Sequence, residues 1–357
     1  MVSFIYKIRK DFFTVANIID YINWRGDLSF DAAPFNDVDA LVLSRLADAP
    51  FDGIVPESFD SRSDITVGGA AKRLLELTSG DAPERAFRME EDAALMEALI
   101  GSERFAPLAL TGFANRFDEE QEKQFSAVSI LLPGEFFAAF RGTDGTLVGW
   151  KEDFNMGFED TVPAQQDAVD YLEAAARSLK GKIRTGGHSK GGNLAVYSAA
   201  FASKRVQKRI LRVCNNDGPG FSAQRIAQES FAAILPLVRT YIPQSSVVGM
   251  LLEHEEDFRV IHSTNSGLMQ HDLYSWEVAR TGFINVESVT NSSQFIDMTL
   301  KDWMMNMPAD LREKMIDGVY SIFASCDART LSELWTGKNT IAAASSTSEM
   351  PAEISTV

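Results

Sequence analysis

Cysteine is nearly absent: the chain has 2 in 357 residues, Cys214 and Cys326. Two are too few for a disulfide framework, and both are expected as free thiols, Cys214 inside a buried strand. Histidine is scarce too, at 4, and neither His nor Cys recurs at a spacing that would ligate a metal. G-x-x-x-x-G-K-[S/T] is missing, which excludes the P-loop route to nucleotides. No cofactor is therefore expected. Positive charge is in deficit, with 34 Lys and Arg against 50 Asp and Glu for a net charge of -16. Phosphates would find no neutralising surface, so nucleic acid is excluded as a partner, and anionic membranes are disfavoured. No run is long and apolar enough to span a bilayer. Residues 1–11, MVSFIYKIRKD, lack the uninterrupted apolar stretch and small-residue cleavage site of a signal peptide. A reducing, cytoplasmic location is the expectation.

What is present is ordinary for a globular chain: 45% apolar and 24% charged residues. The 24 Phe would serve an acyl pocket or fill a core equally well. The length suits one large α/β domain with insertions, or a domain with a lesser appendage. Helices are expected over Phe35–Leu46, with Asn36 or Asp37 as N-cap, over Val67–Leu77, over Glu90–Ile100 and over Ala164–Ser178. Strands are expected at Phe125–Leu132 and Phe136–Phe140, forming a hairpin or adjacent pair, and at Ile183–Thr185, Ile210–Asn215, Val238–Ile242 and Phe258–His262. Gln224–Leu235 reads as a helix and Met269–Trp276 as a loop. Ser293–Asn306 and Ala309–Phe323 read as C-terminal helices, and from about Gly337 the composition is small, Ser/Thr-rich and non-periodic, which predicts disorder. There is no internal repeat. Strands alternating with helices predict a mostly parallel sheet with helices on both faces.

The chemistry concentrates at Gly187-His188-Ser189-Lys190-Gly191, a G-x-S-x-G pattern between a short strand and a small-residue helix. Such a turn puts the serine on a strained tip with its Oγ exposed. The two glycines are required where side chains would meet backbone across the turn. The N–H groups and dipole of the following helix face the same point, which makes the amide of Lys190 a candidate oxyanion donor. The alternative is a Gly-rich turn carrying an ordinary serine. A serine nucleophile needs a base. His271, in a loop after the last strand, fits the chain order Ser, acid, His. His262 and His254 are the other candidates: the first ends a strand, and the second sits in the acidic run Glu253–Asp257, where solvation is expected. His188 adjoins the serine and reads as structural. Asp217 follows a strand directly in a Gly/Pro turn and is the leading acid, with Asp257 and Asp272 as alternatives. Arg141-Gly142-Thr143, at a strand end upstream, offers Thr143 as the second oxyanion donor.

Phe140-Arg141-Gly142-Thr143 and Gly187–Gly192 together resemble the class 3 lipases, which are α/β-hydrolases. Trp150 and Asp153 match that family's Trp-x-x-Asp, whose Asp is a structural contact. More closely, the chain resembles a bacterial branch of lipase-like proteins, the Mbeg-like domain of unknown function. The shared stretches are Trp24–Phe30, Pro34–Asp39, Asn216–Gly220, Pro243–Gly249 and Gln270–Asp272. The resemblance implies an α/β-hydrolase fold, Ser189 as nucleophile, His271 as base, and Thr143 with Lys190 as oxyanion donors. Two departures are visible. The lipases carry an Asp-Pro acid after the next strand, where this chain has Gln244-Ser245-Ser246, and they prefer Leu where Lys190 stands.

The expected organisation is an N-terminal extension or cap packing on the core over 1–105, an α/β-hydrolase core with C-terminal helices over 106–335, and a disordered tail over 336–357. The expected function is a serine esterase or lipase acting on acyl or lipid esters. The alternative is a hydrolase fold used for binding or signalling without turnover, with 27–100 as a cap or partner surface.

Overall fold

Apolar residues dominate Phe125–Leu132 and Phe136–Phe140, interrupted only by Ser126 and Ser129. Such strands are comfortable only when both faces of their sheet are covered. In the computed structural model, which describes residues 15–78, 90–144, 146–156, 161–290 and 293, they are two of seven strands in one sheet. The strands are β1 (Ala109–Asp118), β2 (Lys123–Leu132), β3 (Glu135–Phe140), β4 (Lys182–His188), β5 (Ile210–Asn216), β6 (Val238–Pro243) and β7 (Phe258–Ile261). β1, β2 and β3 pair antiparallel; β3 through β7 pair parallel. Among the described residues four helices precede the sheet: α1 (Ile18–Arg25), α2 (Asp37–Arg45), α3 (Val67–Thr78) and α4 (Glu90–Ile100). Between strands lie α5 (Leu147–Asn155), α6 (Pro163–Ser178), α7 (Lys190–Phe201) and the short α8 (Glu229–Ile234).

The strand order is sequential from β1 to β7, and that has a consequence. Parallel crossovers are right-handed, so an order that never reverses sends every connecting helix to the same face. α6, α7 and α8 do share one apolar cluster with Phe125, Ala127, Phe136, Phe140, Ile183 and Val213. The other face needs a separate cover, and the N-terminal helices supply it. Leu41, Leu43, Val67, Leu74 and Leu95 cluster with Val128, Ile130 and Phe137. Those three strand residues are fully buried, and each contributes about 1.5–3 kcal/mol by leaving water. This is the α/β-hydrolase fold, a mostly parallel sheet with helices on both faces.

Local chemistry sets the element ends. Asn36 caps α2: its Oδ1 accepts from the amides of Val38 and Asp39, and Asp39 Oδ2 accepts from the Asn36 amide at 2.8 Å. The structure also departs from the expected elements. β1 was not expected from the sequence; Gly112, at φ 63, sits within a register shift that breaks the strand's alternation. α5 was also not expected from the sequence. Gln224–Leu235 is not one helix but a single turn over Ala223–Ile226, then α8 and a 3-10 turn over Leu235–Leu237. The loop after β7 contains two 3-10 turns, Gly267–His271 and Leu273–Ser275, and a small hairpin, β8 (Val278–Ala279) with β9 (Gly282–Phe283), follows. Apart from Ser293, the two expected C-terminal helices lie outside the described residues, as do Cys326 and the tail. Cys214 is buried within β5, and burial pushes its thiol up to about 12. Among the described residues no helix is long and apolar enough to cross a membrane.

Candidate active site

The carboxyl ends of β3 to β6 come to one edge of the sheet, where Phe140 pairs with Gly187, His188 with Asn216, and Asn216 with Tyr241. β2 runs the other way, so its first residues, including Gln124, reach the same edge. The turns leaving β3, β4, β5 and β6 deliver Thr143, Ser189, Asp217 and Ser246, and the loop after β7 delivers His271.

Ser189 stands between β4 and α7 at φ 58, ψ -134. A non-glycine residue held there is strained by about 1–3 kcal/mol and persists only where its surroundings dictate it. They do. The Ser189 amide donates to Asn216 O at 3.0 Å, and its carbonyl accepts from Gly192 N at 2.8 Å. A Cβ on Gly187 would lie 2.2 Å from the Gly191 carbonyl carbon, and one on Gly191 would lie 2.1 Å from Phe140 O. Both glycines of the pattern are thus sterically compulsory. The loop after β3 closes on the same turn: a Cβ on Gly142 would come within 2.9 Å of His188 O and 3.3 Å of Ser189 Cβ.

Asp217 follows β5 at φ 53 and is fully buried. Its amide donates to Tyr241 O at 2.8 Å, which turns the side chain inward. One carboxylate oxygen receives His271 Nδ1 at 2.6 Å. The other receives the Ser246 hydroxyl at 2.5 Å, and Ser246 in turn accepts the Gly249 amide at 3.0 Å. Since a carboxylate only accepts, Nδ1 of His271 carries the proton, and its Nε2 is left with the lone pair. His188 Nε2 donates to the His271 carbonyl at 2.8 Å, and the two imidazoles stack with centroids 4.5 Å apart. Trp276 meets His188 edge-on at 5.9 Å. His188, the residue preceding Ser189, therefore holds the turn that carries His271 against the end of β4.

The competing residues lie elsewhere. Asp257 is exposed. Asp272 caps the next turn by accepting from Tyr274 N at 2.9 Å. His262 is 2.7 Å from Glu277. His254 is not solvated as expected: its side chain is 8% exposed and bonds Glu256 at 3.0 Å. A charge run reads as surface, but Glu256 also accepts from Thr240 on β6 and draws His254 inward.

Thr143 donates its hydroxyl to Asp153 of α5. Burial pushes the Asp153 carboxyl up to about 6, against the pull of Lys190 and the Thr143 hydrogen bond. The Lys190 side chain, directly after Ser189, points inward and is 1% exposed; its ammonium is 2.7 Å from Glu152 and 3.1 Å from Gln124 Oε1. Glu152, Gln124, His188 and Ser246 were not identified from the sequence as parts of the site. Only Ser246 left a trace there, standing where the resembled lipases keep their acid.

No curated protein matches this sequence. Among solved structures the chain is similar to the Rhizomucor miehei lipase in its propeptide complex (12% identity, 55% of this chain and 66% of that chain, TM-score 0.31). It is also similar to the M37 lipase (12%, 60% and 70%, 0.35) and to the Lip2 lipase from Yarrowia lipolytica (10%, 62% and 86%, 0.34). The chain spans just under two thirds of the first of these. The Mbeg1-like family matches residues 99–321, which takes in the loop after β3, the Ser189 turn, Asp217, Ser246 and His271. That match covers well over half of the chain, and the protein belongs to the Mbeg1-like family.

Proposed function

We propose that this protein is a serine hydrolase of acyl esters, carboxylic or lipid, using Ser189, His271 and Asp217. The observation that carries the reading is the hydrogen bond at 2.6 Å between buried Asp217 and His271, whose ring packs on His188, the residue before a serine held at φ 58. A turn-forming aspartate has no need of a histidine partner, and an ordinary surface serine has no need of strain.

In this reading Ser189 Oγ attacks the acyl carbonyl while His271 Nε2 takes its proton. The carbonyl oxygen becomes an oxyanion and is received by the amides of Thr143 and Lys190. His271 returns the proton to the leaving alkoxide, and the alcohol departs. Water then attacks the acyl-enzyme with His271 again as base, which releases the acid. Asp217 fixes the Nδ1–H tautomer and stabilises the imidazolium without being protonated itself. Ser246 keeps the second Asp217 oxygen satisfied, so the carboxylate cannot rotate away.

The test is labelling with a fluorophosphonate probe, comparing the native protein with Ser189→Ala and Asp217→Asn. Native labelling that vanishes in Ser189→Ala is expected, as is a fall of roughly 10⁴ in turnover for Asp217→Asn. A native protein that neither labels nor hydrolyses esters of any chain length, detergent included, would favour a hydrolase fold used only for binding.

A further inference from the structure

The side chain of Lys190 has no part in the proposed chemistry, yet it is the best-connected cation at the site. Its ammonium is 2.7 Å from Glu152 Oε2 and 3.1 Å from Gln124 Oε1, with Asp153 Oδ1 at 3.9 Å. Glu152 is fully buried. Besides Lys190 its carboxylate accepts the amide of Gln124 at 3.0 Å and that of Ala164 at 2.8 Å. One carboxylate therefore joins β2, the first turn of α6 and the first residue of α7. The next residue of α5, Asp153, accepts the Thr143 hydroxyl. The two residues with proposed oxyanion amides, Lys190 and Thr143, are thus tied by their side chains to consecutive carboxylates on one helix.

We propose that Lys190 is a positioning residue, its buried ion pair with Glu152 acting as a strut that sets the distance between the Ser189 turn and the Thr143 loop. The inference rests on the hydrolase reading for its catalytic consequence but not for its geometry. An apolar residue at position 190 would leave Glu152 buried with its charge unpaired, so the two residues make sense only together. A buried pair is seldom the most stabilising choice, since apolar substitutes of similar volume often serve stability as well. What a strut adds is placement, and a shift of about 1 Å at a reacting centre costs on the order of 10²-fold in rate.

Four proteins test it: native, Lys190→Met, Lys190→Met with Glu152→Gln, and Arg104→Met as a destabilised control far from the site. Each is assayed for thermal unfolding, for kcat and KM on a soluble p-nitrophenyl butyrate, and for amide hydrogen exchange in the segment 141–146. The double variant is expected to recover most of the unfolding temperature lost in Lys190→Met. Its kcat is expected to stay about 10- to 100-fold low with KM little changed, and exchange over 141–146 to remain faster than native. The control should lose stability without changing kcat. Restoration of kcat and native exchange in the double variant would overturn the proposal and make the pair merely structural. If the native protein hydrolyses nothing, the hydrolase reading fails by itself. The exchange result still decides the strut: faster exchange in both Lys190 variants supports it, and unchanged exchange refutes it.

Discussion

Arg104 and Lys190 are both cations with 1% exposure, and they are housed in different ways. Arg104 lies in the N-terminal layer. Its fork meets Asp39 twice, Nε to Oδ1 at 2.7 Å and Nη2 to Oδ2 at 2.6 Å. Its remaining N–H groups reach the carbonyls of Leu28, Ser29, Ala33 and Pro34, and Phe30 stacks beneath the guanidinium at 3.9 Å. A planar fork fills such a cradle in one orientation only, so Arg104 pins the loop between α1 and α2. Lys190 is a point charge shared between one carboxylate and one amide, with a second carboxylate nearby. The first arrangement holds a shape. The second also fixes charge within reach of the site, and a titrating neighbour can disturb it.

The contrast can be broken from either side. The largest effect is expected at the arginine: Arg104→Met leaves Asp39 buried and unpaired and should cost about 3–5 kcal/mol, read by urea unfolding, with kcat unchanged in the folded fraction. Lys190→Met should cost less, about 2–3 kcal/mol, because Arg104→Met also takes the donor from four backbone carbonyls, but it should lower kcat where Arg104→Met does not.

A subtler difference is in pH. The Asp153 carboxyl is raised by burial from its ordinary value of 3.8 to about 6. Between those values the folded protein keeps a proton that the unfolded chain has already lost. This contribution to stability is therefore present below pH 4 and is lost as pH rises through 6. Asp153→Asn should flatten that part of the stability–pH curve, an effect on the order of 1–2 kcal/mol at pH 8 for a side chain still partly exposed. The Arg104 cradle offers no such signal.

The smallest effect is expected at Tyr274, whose hydroxyl donates to Asp92 at 2.7 Å beside Arg45. Tyr274→Phe should cost about 1 kcal/mol. Because Tyr274 stands three residues after His271, ester turnover should fall slightly more than stability alone explains.

How much of this was legible in the sequence depends on the range of the interaction. Ser189, Asp217 and His271 could be nominated from their order along the chain, and of the three the structure brings Asp217 and His271 to 2.6 Å. The N-cap at Asn36 could be read because a cap is settled within three residues. Lys190 with Glu152 could not: they are 38 residues apart, and the helix that carries Glu152 was not expected from the sequence. His188 was read as structural, which is fair to its chemistry but misses its contact with a residue 83 positions on. His254 was misread because an acidic run looks solvated until β6 turns one of its carboxylates inward. β1 was hidden by its own bulge.

The unbroken order of the strands bears on how the protein is made. Helices α1 to α4 leave the ribosome before the strands, but the surface they must cover is finished only when β6 and β7 have been synthesised. Contacts that close the structure span more than half of the chain: Tyr241 to Asp37 across 204 residues, and Asn17 to Tyr274 across 257. Such distant pairings make for slow folding with apolar surface open in the meantime. An N-terminal truncation would accordingly not uncap a finished fold. It would leave one side of the nascent sheet wet and adhesive, and the chain would be lost to aggregation before its chemistry could be assayed.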